Sequence, residues 1–398
     1  MLQILIALLL GIIAGTFTGL APGIHINLVA ATLFALSGFF LSLTSPIVLA
    51  VFIVSMATVH SFIDFIPSIF LGAPEESTAL SVLPGHKMLL KGKGYEAVRL
   101  TTIGCYIGIL LLILTVPVLI LILPDIYETL GFLVPVFLII ASLFLIIKEK
   151  RPFLGLTVFL FAGILGILTL NLQIIKEPLF PLLTGLFGTS TILVSLKEKT
   201  RIPKQKITKE KISSKELAAI VPSSIASSSL CAFLPGLGSS QAAVLSSQLE
   251  KNSMPEKFLV LLGAISTLVL GFNFAALYII GKARSGTGII IQKFLSDITL
   301  NQLWLFIAII LVSGSIAVFL SLFLAKAFAK NISKINYSKI NLAVLIILII
   351  MSIIISGWFS LIVLVTATAL GILAINSQVH RIQLMGSIIL PVILYFLI

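Results

Sequence analysis

Unbroken apolar stretches recur from the first residue to the last, at roughly 2 to 20, 24 to 43, 47 to 71, 99 to 123, 131 to 147, 152 to 170 and 178 to 196. A second series follows at roughly 217 to 234, 236 to 249, 257 to 280, 302 to 325, 340 to 357, 359 to 376 and 382 to 398. Most of these reach the length of about 20 residues that an α-helix needs to cross a hydrocarbon layer. The pattern predicts an all-α, polytopic membrane protein. Between the two series lies a polar stretch, residues 197 to 216, with eight Lys or Arg and three Glu. It reads as a solvated linker between a first half, 1 to 196, and a second half, 217 to 398.

Composition hardens this reading. Of 398 residues, 59% are apolar and 10% charged, with a mean hydropathy of +1.22, whereas a soluble domain carries about 25% charged residues to wet its surface. Soluble enzymes, secreted disulfide scaffolds and nucleic-acid modules are excluded. The excess of 26 Lys and Arg over 14 Asp and Glu reports topology instead, because basic loops stay on the cytoplasmic side. With the linker placed inside, and the chain reversing at Pro22 and Pro235, 22 of the 26 basic residues fall inside; Lys176, Lys282, Arg284 and Lys293 remain outside. Both termini then come out extracytoplasmic. Cys105 and Cys231 sit within apolar runs and offer no metal spacing or disulfide framework. The start has no basic n-region, so no removed signal peptide is expected.

The halves look alike. Gly19-Leu20-Ala21-Pro22-Gly23-Ile24-His25-Ile26-Asn27 aligns with Ala232-Phe233-Leu234-Pro235-Gly236-Leu237-Gly238-Ser239-Ser240, each a Pro-Gly turn between apolar arms. About five spanning segments follow each turn, an odd number, so the second half enters from the opposite face. Such inverted-topology repeats are the plan of many secondary transporters, which hold substrate near the midplane at broken helices. Proline removes a backbone donor and glycine loosens the helix. Bare backbone survives at membrane depth only where protein buries it or where it lines a watery cavity. The helix that begins after each break favours an anion at its N-terminus. Candidate substrate ligands are therefore Gly19, Pro22, Gly23, His25 and Asn27 in the first half, and Pro235, Gly236, Gly238, Ser239, Ser240 and Gln241 in the second. The plainer alternative is a pair of structural kinks.

Ionisable residues at membrane depth are functional candidates. His60 and Asp64, four apart and on one helix face, are read as ion-coupling residues; the alternative is a neutralised pair that only ties helices together. Asn273 occupies the comparable region of the second half. A second irregular stretch follows each of these helices: Gly72 to Thr78, containing Glu75 and Glu76 and running on to Pro84-Gly85-His86-Lys87, and Gly281 to Gly288, containing Lys282, Arg284 and Ser285. The first offers carboxylates for a coupling cation or ordinary loop charges. The second offers cations and a glycine-rich backbone for a carboxylate or an anionic headgroup. Residues 87 to 99 have the makings of an amphipathic surface helix drawn to anionic lipid. No nucleotide-binding, metalloprotease, hydrolase, haem or zinc motif occurs, so no cofactor and no metal is expected.

Three segments carry a family likeness: GLAPGIHINL, IFLGAPEESTALSVLPGHKMLLKGKGYEAVRL and SSSLCAFLPGLGSSQAAVLSSQLEK. They resemble the large membrane subunit of the tripartite tricarboxylate transporters over essentially the whole chain. The resemblance implies a permease for carboxylates such as citrate, driven by a proton or sodium gradient, working with a small membrane subunit and an extracytoplasmic binding protein. It also implies that the two Pro-Gly loops are substrate-proximal. Other classes stay open: a polyprenyl-phosphate translocase, which would use the same turns and cations for a phosphate, and a non-transporting scaffold or intramembrane enzyme. Self-association as a homodimer is open as well.

Overall fold

The computed structural model describes residues 1–21, 26–72, 82–197, 202–207, 213–233, 239, 242–243, 246, 255–281, 283, 285–334 and 337–397. Among them there is helix and no strand. Among the described residues, seven helices are long and apolar enough to cross a membrane: Leu2–Leu20, Pro46–Leu71, Gly94–Asp125, Pro152–Leu170, Leu179–Lys197, Pro255–Ile280 and Leu300–Asn331. Shorter apolar helices cover the predicted segments at 131 to 147, 217 to 234, 340 to 357, 359 to 376 and 382 to 398, while most of the segment from 236 to 249 lies outside the described residues.

Two of the seven form the centre. The Pro255–Ile280 window is 94% buried and the Pro46–Leu71 window 78%, while Gly94–Asp125 is 28% buried and turns most of its surface outward. Leu2–Leu20 packs along Pro46–Ile63, and Ser214–Phe233 along Pro255–Ile280. The long Gly94–Ile147 helix lies on Pro255–Ile280, and Leu300–Asn331 lies on Pro46–Ile63. Toward the C-terminus, Gly386–Leu397 packs on Pro152–Leu170, and Ser360–Asn376 on the π-helical turn Thr184–Thr189. Lipid is as apolar as leucine, so such contacts come from close backbone approach at small residues. Gly104 and Gly108 oppose Val260 and Ala264, and Gly263 opposes Thr101 and Cys105 across the same seam. Gly11, Gly15 and Gly19 form a matching stripe against Phe52, Met56 and His60.

Several boundaries differ from the expectation. The segments at 99 to 123 and 131 to 147 are one continuous helix, Gly94–Ile147, containing Pro117, Pro124 and Pro135. These prolines are spaced to bend a helix, and the stretch around 128 lacks a terminating signal. At 1.5 Å per residue this helix is about 80 Å long, measured along its axis. The run from 24 to 43 is split at Leu36 into Ile26–Ala35 and Ser37–Leu43. The surface helix expected over 87 to 99 is instead Val82–Leu90 followed by a turn, and Gly94 already opens the long helix. Gly92, at φ +77°, cannot continue a right-handed helix.

Val82–Leu90 is held down by Gly85, where a Cβ would meet Ile69 Cγ1 at 2.7 Å. Burial pushes the neighbouring His86 imidazole below its usual range, partly opposed by a hydrogen bond to the Ile69 backbone. A histidine whose folded-state pKa is depressed leaves stability intact above about 6.5, its unfolded value, and removes it as pH falls through the folded value. Hydrogen exchange should therefore show the 82–90 amides losing protection as pH falls below about 6.5; equal opening free energies on both sides of that value would refute this.

Candidate functional site

The Pro46–Leu71 span is bent at Asp64 for a local reason. Pro67 has no N–H for the Ile63 carbonyl and its ring crowds that carbonyl, so the helix ends at Ile63 and restarts as Phe65–Leu71. The bend sets Asp64 at the junction, 3% exposed, beside the equally buried His60. His60 turns to the N-terminal helix, its Nδ1 3.0 Å from Thr18 Oγ1. The Cys105 thiol of the long helix lies 3.8 Å from the carbonyl of Ser61, one turn before Asp64, and is also hydrogen-bonded to Thr267. One turn away Thr102 Oγ1 is 3.0 Å from Ser321 Oγ, which donates to the Phe62 carbonyl at 3.4 Å. A polar seam thus runs through four helices, two from each half, with Asp64 as its ionisable member.

Cys105, Thr267, Thr102 and Ser321 were not among the residues expected from sequence. Small hydroxyls in membrane helices bond to their own helix, as Thr58 does to Val54 at 2.8 Å and Thr102 to Val98 at 2.8 Å, so such residues carry no signal of a partner across a seam. The second half contributes Ser321 and Thr267 to the Asp64 seam. Asn273 lies almost two turns further along, 8% exposed, with no hydrogen bond among the described residues.

Gly19 is buried in the Leu2–Leu20 helix, where a Cβ would come within 2.8 Å of Ile63 Cβ; its contact is with the Asp64-bearing helix. After the first Pro-Gly turn, Ile26–Ala35 packs against Gly286–Leu295 of the other half. Their C-terminal ends touch: the Phe34 and Phe294 rings are 5.5 Å apart edge to face, and Lys293 Nζ stands 4.8 Å over Phe34. Ser285 caps Gly286–Leu295, its Oγ accepting from Gly288 N at 3.1 Å, and Gln292 Nε2 donates to the Gly281 carbonyl at 2.9 Å. Around the second Pro-Gly turn, the Ser227 and Ser246 hydroxyls are hydrogen-bonded. These serines lie at nearly equal sequence distance on either side of Gly236. Ser239 is buried. Pro22, Gly23, His25, Glu75, Glu76, Pro235, Gly236, Gly238, Ser240, Gln241, Lys282 and Arg284 lie outside the described residues, as does the Asn27 side chain.

Residues 5–386 match the family described as the tripartite tricarboxylate transporter TctA family. The chain is also 34% identical over 403 residues to an uncharacterized protein of Methanocaldococcus jannaschii, an alignment covering 99% of each. No solved structure matches. The chain, with seven helices able to span a bilayer among its described residues and a family match over residues 5–386, belongs to the TctA family and is a multi-pass membrane component of a tripartite transporter.

Proposed function

We propose that this chain is the permease itself: a secondary active transporter of a small organic anion, a di- or tricarboxylate, coupled to a proton or sodium gradient. The observation that carries the reading is the pairing of Ile26–Ala35 with Gly286–Leu295 across the halves. Their C-terminal rings meet, and we read the two helices as parallel, with their N-termini aimed the same way. Each N-terminus follows an irregular stretch singled out in the sequence, one with Pro22-Gly23 and one with Lys282 and Arg284. Two aligned helix dipoles and two cations suit a multiply charged carboxylate.

Packing also supports the inverted repeat. Each half lays its first helix on its own central helix, and its long helix on the central helix of the other half, the exchange expected of pseudo-two-fold halves. The Asp64 seam crosses that interface, which makes Asp64, with His60 beside it, the coupling group. Both termini are extracytoplasmic in this reading and the linker cytoplasmic. A small membrane subunit and an extracytoplasmic binding protein complete the system, as the family name implies.

Proteoliposome uptake tests it. Labelled citrate or succinate should accumulate under an imposed ion gradient and exchange by counterflow without one. Asp64→Asn should lose accumulation and keep counterflow, whereas Arg284→Gln should lose both. Accumulation that survives Asp64→Asn would remove Asp64 from coupling. Binding of polyprenyl phosphate with no carboxylate counterflow would replace the carboxylate reading with lipid-carrier translocation.

A further inference from the structure

The basic linker is docked over part of its length. Lys206 N donates to the Gly92 carbonyl at 2.7 Å. Gly94 N donates to Gln205 Oε1 at 2.8 Å, and Gln205 Nε2 donates to the Leu89 carbonyl at 3.0 Å and the Pro203 carbonyl at 2.7 Å. The turn is shaped for this strap: a Cβ on Gly92 would come within 3.0 Å of the Lys204 carbonyl, and one on Gly94 within 2.8 Å of Gln205 Oε1. In extended chain, neighbouring side chains point to opposite sides, so with Gln205 turned into the protein, Lys204 and Lys206 turn out. Both are exposed, as are Lys87 and Lys91, one helical turn apart on the adjoining element. Leu90 and Ile207, each 42% exposed, lie among them. Glu96, the acidic residue that opens the long helix beneath the strap, is fully buried and paired with Arg99 at 2.5 Å, so it does not neutralise this surface.

We propose that the strap and the Val82–Leu90 helix together form a docking surface for the anionic headgroups of the surrounding bilayer. The patch adjoins the end of the Pro46–Leu71 span, through the Gly85 to Ile69 contact, and the start of the Gly94–Asp125 span. It therefore sits at headgroup level, where clustered lysines attract acidic lipid and exposed leucine or isoleucine enters the acyl boundary. Two pairs of cations more than 100 residues apart in sequence become one surface because the strap docks.

Binding of short-chain phosphatidylglycerol and phosphatidylcholine to the purified full-length protein in detergent tests this, with thermal unfolding to verify that each variant folds. Wild type should bind phosphatidylglycerol saturably, prefer it over phosphatidylcholine, and weaken as salt is raised. The K87Q/K91Q/K204Q/K206Q variant should bind it at least about tenfold more weakly, and K326Q/K330Q/K339Q should bind as wild type does. Gly92→Val combined with Gln205→Ala keeps every lysine and should also weaken binding, because the strap is released. Wild-type affinity in the quadruple variant would overturn the proposal. So would undiminished affinity after undocking, or tight binding of an acidic peptide without phosphatidylglycerol binding, which would assign the patch to a protein partner.

Discussion

Gly104→Val is expected to cost about 3 kcal/mol or more, the upper end of overpacking penalties, and to leave little folded protein in a mild detergent. The reason is the identity of the obstructing atoms. A Cβ at Gly104 would run into the backbone carbonyl of Val260 and crowd the Ala264 amide; neither can swing aside as a side-chain tip would. The same seam carries Gly108 and Gly263, so relief at one contact loads the next. Because Pro255–Ile280 is the most buried span, displacing the long helix from it disturbs the molecule at its centre, including Cys105 one residue away and the Thr267 it bonds. Gly38→Ala is the control: nothing lies within 4 Å of a Cβ there, and it should melt within experimental error of wild type. Size-exclusion profiles and thermal unfolding in the same detergent measure both. A Gly104→Val protein that unfolds with the wild type would show that the helices do not approach as described.

What the sequence revealed and what it hid divide along physical lines. Spanning helices follow from transfer free energy, a sum over neighbouring residues, so Leu2–Leu20, Pro152–Leu170 and Pro255–Ile280 were legible to within a few positions. The likeness carried by PGLGSSQAAVLS proved to be membership of the family. Features set by contact between distant residues were not legible. The strap at Gln205 reads as a solvated linker because one amide side chain on three main-chain groups leaves no pattern. The Asp64 seam was half visible: the carboxylate stands out at membrane depth, but Cys105 and Thr267 resemble the many small residues that only bond within a helix. The bend at Asp64 had a local cause in Pro67, readable in principle, yet the hydropathy of 47 to 71 runs straight through it.

Arg381 is one of the 22 basic residues that the sidedness count places inside, and the structure buries it. It is 3% exposed. Nη1 donates to Thr191 Oγ1 at 2.7 Å, and Nη2 to the carbonyls of Leu186 and Phe187 at 3.1 and 2.6 Å and to Ser190 Oγ at 3.2 Å. The guanidinium carbon stands 5.3 Å from the Phe187 ring centre. The target is the π-helical turn Thr184–Thr189, whose wider winding turns carbonyls away from the normal i+4 donors. Ser190 and Thr191 hydroxyls reach Leu186 and Phe187 at 2.7 and 2.6 Å, so those carbonyls are not orphaned when Arg381 is removed. What a truncation loses is the set of charge-assisted bonds and the filled volume; what it gains is relief from burying a charge. Arg381→Ala leaves a cavity the size of a guanidinium and its stem, and that term decides the sign: a loss of about 3 kcal/mol or more is expected. Arg381→Met refills most of the space without the charge and should recover part of it. On the other side of the same segment, His380 N and Gln383 Nε2 donate to Glu149 Oε1 at 2.9 and 3.2 Å, so the stretch Arg381–Met385 clamps the end of the long helix to the π-turn. Hydrogen exchange in Arg381→Ala should therefore rise in both Thr184–Thr189 and Gly386–Leu397, while the Pro255–Ile280 centre keeps its protection. Unfolding of Arg381→Ala at the wild-type temperature, with no local gain in exchange, would show that the guanidinium is not what holds this clamp.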